Sequence, residues 1–128
     1  MRVAKDDVDV RMQIPGATIR QQMDFGSMAG YDRICGEYFT LAKGVDTRPL
    51  LKGLEGDACQ SPHWGFVLSG RVTATDAGGR DETATTNDLF YWPPGHNVRV
   101  DEDAELIMFS PQHEHVRVVE HMRAKVGA

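Results

Sequence analysis

Apolar and polar residues alternate with a period of two through much of this chain, the pattern of strands that turn one face to a core. Over residues 17–25, Ala17, Ile19, Met23 and Phe25 hold alternate positions with Gln21 as the polar interruption, which predicts a first strand. A Gly- and Ser-containing loop at 26–30 leads to a second strand at 34–42, where Glu37, Phe39 and Leu41 share a face. Arg48-Pro49-Leu50-Leu51 reads as a short strand with its proline near the start, where no ladder donor is missed. Further strands are predicted at 66–75, 82–86, 89–92, 98–100 and 106–109, separated by turns at 76–80, 87–88 and an acidic 101–103. Beyond Pro111 the period changes: Val116, Val119, Met122 and Val126 recur at helical spacing and predict a terminal helix over 113–126. Short strands at near-regular intervals with a single helix predict an all-β fold, an antiparallel sandwich or small barrel.

A length of 128 residues suits one domain, 1–128, with a real core and is too short for two. The formal charge is −5, from 14 Lys and Arg against 19 Asp and Glu, and the basic residues form no stripe. That disfavours nucleic acid and anionic membrane as partners and leaves a small molecule or another protein. Residues 1–7 are charged rather than apolar, and no window reaches the length of a membrane span, so a cytoplasmic location is expected. In that reducing setting Cys35 and Cys59 are expected to remain thiols.

The candidate chemistry sits in two stretches. Cys59 and His63 stand four residues apart ahead of an apolar run, and His96 follows the rigid corner Pro93-Pro94-Gly95. One thiolate and two imidazoles form a borderline-soft donor set suited to Zn²⁺ with a fourth position open, which Asp57 can close or tune. Fe²⁺, Ni²⁺, Mn²⁺ and Cu²⁺ are the alternatives. Against this stands the plain reading of Cys59 as a small buried hydrophobe and of the histidines as hydrogen-bonded loop residues. Glu37, a carboxylate among apolar neighbours, is either a general base or fourth ligand, or a strand-end residue facing water. Trp64, Phe66, Phe90 and Trp92, with Val98, either line a pocket or belong to the core. His113, His115 and His121 predict no second metal site, and the acidic 101–103 cluster reads as a solvated turn.

These stretches, 59–70 and 87–96, resemble the two motifs of the cupin superfamily, and the likeness extends over about residues 35–110. With the last glycine of the first motif at Gly70, its usual ligand slots fall on Asp57, Cys59 and His63. In the second motif Pro93-Pro94-Gly95 fits the Pro-x-Gly corner, and the usual histidine slot falls on Val98. His96 lies two positions earlier, on the same face of an unbulged strand, and can substitute for it. The resemblance implies a jelly-roll β-barrel with a metal or ligand pocket inside. It also implies a homodimer formed through sheet edges, for which the 17–25 strand is the expected edge. Three functions stay open: a Lewis-acid isomerase, cyclase or hydrolase acting on a small oxygenated molecule, a non-catalytic binding or sensor module, and an Fe(II)-dependent dioxygenase. Whether the chain is an enzyme at all is left undecided by its sequence.

Overall fold

A computed structural model of the chain describes residues 1–26 and 28–127; Ser27, within the predicted 26–30 loop, and Ala128 lie outside the described residues. The elements are β1 (Val10–Ile14), β2 (Ala17–Gln22), β3 (Ile34–Leu41), α1 (Arg48–Leu51), β4 (His63–Thr75), β5 (Asp81–Thr85), β6 (Leu89–Trp92), β7 (Asn97–Pro111) and α2 (Gln112–Val126). Every strand pair is antiparallel, in the order β1-β2-β3-β7-β4-β5 with β6 added to β4. Seven strands and one C-terminal helix make the jelly-roll arrangement that the resemblance implies.

The long strands β4 and β7 carry the architecture. One end of β7 pairs with β3, from Leu41↔Ala104 to Ile34↔Pro111, while β7 also follows β4 from Thr75↔Asn97 to Trp64↔Phe109. The β4–β7 register shifts between Val67 and Val72. Gly70 sits inside that irregularity at φ +92°, and a Cβ there would lie 2.1 Å from the Asp103 carbonyl oxygen, so only glycine fits.

Four predicted elements need correction. Arg48–Leu51 is a helical turn, because Pro49 occupies its start, where a missing N–H costs nothing, and the amides of Leu50 and Leu51 both bond Thr47 O at 2.9 Å. The acidic 101–103 segment lies within the continuous β7, where Asp101 accepts a bond from Thr73 Oγ1 (2.5 Å) and Asp103 one from Lys43 N (2.8 Å). The first predicted strand ends at Gln22, and β1 precedes it, its alternation of Val10, Met12 and Ile14 being masked by neighbouring charges. β2 is therefore interior, flanked by β1 and β3, and offers no free edge to a partner. In α2 the buried residues are His115, Val118, Val119 and Met122, so the inward stripe starts one position before Val116.

One core cluster fills the barrel around Val67, Val72, Leu106 and Met108. A second, of Met12, Ile19, Leu51, Cys59, Val118, Val119 and Met122, forms where α1 and α2 pack against the barrel. No helix among the described residues is long and apolar enough to cross a membrane.

Candidate metal centre

Backbone pairing joins the two candidate stretches. Cys59 N donates to His96 O at 2.9 Å, and Gly95 N donates back to Cys59 O at 2.7 Å, with Gly95 turning the corner at φ +94°. His63 opens β4 opposite Trp92. The result places ligand atoms of Cys59, His63 and His96 within 4.8 Å of one another, and all three residues are buried. Cys59 Sγ lies 3.4 Å from His63 Nε2, close to the roughly 3.5 Å sulfur–nitrogen edge of a tetrahedral Zn²⁺ site.

Hydrogen bonds assign the imidazole tautomers. The Pro93 carbonyl can only accept, so the 2.7 Å contact with His96 Nδ1 puts a proton on Nδ1 and leaves Nε2 free. Ser110 Oγ gives its one proton to Glu37 Oε1 (2.5 Å) and therefore accepts from His63 Nδ1–H (2.6 Å), leaving Nε2 bare toward Cys59. His115, from α2, likewise donates Nδ1–H to Glu37 Oε2 at 2.5 Å. Gln21 Nε2 is the third donor to that carboxylate (2.8 Å), and Gln21 is in turn held by Arg11 at 3.0 Å. Three buried histidines thus have Nδ1 tied to an acceptor, which is how metal-binding imidazoles are oriented and made more basic.

Burial decides the protonation of the donors. Desolvation pushes the Cys59 thiol up to about 12, with Ser61 O and Glu37 as lesser influences in opposite directions. It also holds His96 down at about 4 and His63 well below the ordinary imidazole value, where His115 and His96 add repulsion. Both imidazoles are ready neutral ligands, whereas the thiol must lose its proton to bind a cation.

Cys59, His63, His96 and His115 open onto one cavity of about 60 Å³, whose remaining wall is almost wholly apolar. Trp92 and Val98 are among the residues that line it. Other proposed site residues lie elsewhere. Asp57 is exposed on a turn at φ +52°, its carboxylate spent on Gly53 N (2.9 Å). Trp64 and Phe66 alternate with His63 on β4 and so face outward, Trp64 being half exposed. Phe90 is buried in the core stacked on Trp92, behind the cavity wall. Glu37 is fully buried rather than at a wet strand end, and its carboxylate accepts hydrogen bonds from Gln21, Ser110 and His115, which it orients. His115 is the residue that sequence reasoning missed. Its ring centre lies 4.3 Å from that of His63, and a second grouping of possible ligands joins it to His63 and Glu37 rather than to Cys59 and His96. A signal existed in the spacing of His115, Val118, Val119 and Met122, which together trace one helix face.

No protein-family model matches the chain, and no curated protein matches it in sequence. Solved structures do match in fold. An RmlC-like cupin from Shewanella frigidimarina aligns with TM-score 0.60 at 15% identity, over 89% of this chain and 93% of that one. The polyketide cyclase RemF from Streptomyces resistomycificus gives 0.58 at 20% identity, over 87% and 78%. An oxalate decarboxylase from Lactobacillus farciminis, in complex with formate, gives 0.58 at 23% identity over 83% of this chain. The chain spans only 31% of that decarboxylase's length.

Proposed function

We propose that this chain, which has the cupin fold, holds one divalent metal ion on Cys59, His63 and His96 and acts on a small molecule admitted to the adjoining cavity. The observation that carries this reading is the orientation of the histidines: Nδ1 is tied back on each, and Nε2 of both His63 and His96 is left for the space beside Cys59 Sγ. The similarity in fold to a polyketide cyclase and to oxalate decarboxylases, of which the Bacillus subtilis enzyme has Mn(II) centres, supports a metal-using enzyme over a structural role. A thiolate beside two imidazoles favours Zn²⁺ over Mn²⁺ or Mg²⁺, which prefer oxygen donors. When bound, such an ion supplies a Lewis acid that polarises an oxygen of the bound molecule.

The chain's own groups do the rest. Glu37 and Ser110 hold His63 in its ligating tautomer, and the Pro93 carbonyl does the same for His96. His115 presents Nε2 to the cavity while Glu37 holds Nδ1, so it can exchange a proton with the bound molecule at that atom. The apolar wall excludes water from the exchange. Glu37 does not line the cavity and its oxygens already accept from Gln21, Ser110 and His115, which weakens a dioxygenase built on the grouping of Glu37 with His63 and His115. Metal analysis of purified protein tests the reading: about one equivalent is expected in wild type and His115→Gln, and little in His63→Ala or His96→Ala. Full metal in both alanine variants, or none in wild type, defeats it.

A further inference from the structure

The cavity is sharply two-faced. Its polar atoms come from Cys59, His63, His96 and His115, gathered at one end, since the Cys59–His63 contact is 3.4 Å and the ring centres of His96 and His115 lie 5.0 and 4.3 Å from that of His63. The rest of the lining is built of aliphatic and thioether groups such as Leu50, Val100, Leu106 and Met108, and among the described residues no Lys, Arg, Asp or Glu lines it. Thr47 is the one hydroxyl there, and it is already spent on Asn97 Oδ1 (3.0 Å) and Val98 N (2.9 Å). A second polar group on a ligand, placed away from the metal and His115, would thus lose water and find no partner. The volume of about 60 Å³ gives room for about four to six water-sized groups.

From this we infer that the ligand is a small, one-headed molecule: a single metal-binding oxygen or nitrogen function on an unbranched apolar body of about three to five carbons. The inference rests on the metal reading above and narrows it. Sugars and dicarboxylic acids are excluded by the apolar lining, and multi-ring aromatics by the volume.

Straight-chain carboxylates from formate to octanoate, titrated into Co²⁺-substituted protein and followed by its visible absorption, give the test. Affinity is expected to rise about fourfold per methylene up to pentanoate or hexanoate, then to fall at octanoate. Succinate is expected to bind at least tenfold more weakly than butyrate. Leu50→Ala, at a half-buried position on the wall, is expected to move the cut-off one or two carbons longer. Affinity that ignores chain length, or succinate binding as well as butyrate, overturns the inference. Failure of the metal reading is separable, because it shows as the absence of a Co²⁺ spectrum. In that event the same ladder of chain lengths, read as thermal shifts of the apoprotein, still decides the cavity's preference.

Discussion

Metal binding at this site should release one proton, and that number can be worked from the donors. With His96 held at about 4 and burial holding His63 well below the ordinary imidazole value, both imidazoles are already neutral near neutrality and surrender nothing to a metal. Cys59, at about 12, keeps its proton across the whole accessible range and must give it up. The apparent association constant is therefore expected to rise tenfold per pH unit from about pH 5.5 to 9, or about a hundredfold between pH 6 and 8, equivalent to about 2.7 kcal/mol. Donors with ordinary values would behave differently: the slope would steepen toward three below about pH 6.5 and flatten above about 8.5. Competition against a chelator of known pH dependence measures the slope, and calorimetry in two buffers of different ionisation heat counts the proton directly. Cys59→Ser is expected to abolish the dependence. A slope near zero in wild type, or one approaching three in mild acid, would refute the assignment of the thiol as the proton source.

Three other outcomes are expected. Ser110→Ala removes the acceptor for His63 Nδ1–H and should lower metal affinity by about 10- to 100-fold while the protein stays folded, as titration and circular dichroism would show. Gly65→Ala places a Cβ 2.3 Å from the Phe90 ring and 2.5 Å from Ile107 O, and should destabilise by several kcal/mol, about 3 or more, or prevent folding; a near-wild-type denaturant midpoint would contradict the β4–β6 packing. The apoprotein should lose stability on both sides of neutrality: as pH falls from about 6.5 to 4, because the unfolded chain protonates His63 and His96 before the folded one does, and as pH rises from about 9 to 12, because unfolded Cys59 ionises first. Chemical denaturation across pH would reveal a plateau between, and a stability that rises toward pH 5 would be the wrong sign.

Much of this was legible in the residues. Alternation marks the strands because each buries one face, and Pro93-Pro94-Gly95-His96 marks its corner because proline and positive-φ glycine leave few conformations. Cys59, His63 and His96 come together because two short loops pair through backbone bonds. What alternation alone leaves open is which parity points inward. On β4 it forbids His63 and Trp64 from facing the same side, and burial resolves the choice for His63. Asp57 was misplaced because a positive-φ turn, invisible in a polar run, swings its carboxylate onto Gly53 N. His115 was overlooked because its role depends on where α2 packs, and Glu37, though singled out, kept an open role because its partners Gln21, Ser110 and His115 lie 16, 73 and 78 residues away. Gln21, an apparent flaw in the first strand's pattern, is the buried donor that the same carboxylate requires.

X-ray absorption at the metal edge of the purified, Zn²⁺-loaded protein is the most direct measurement of the central claim. One sulfur neighbour at about 2.3 Å and two imidazole nitrogens among the neighbours at about 2.0–2.1 Å are expected, with the sulfur lost in Cys59→Ser. A shell of nitrogen and oxygen alone, or one left unchanged by Cys59→Ser, would contradict it.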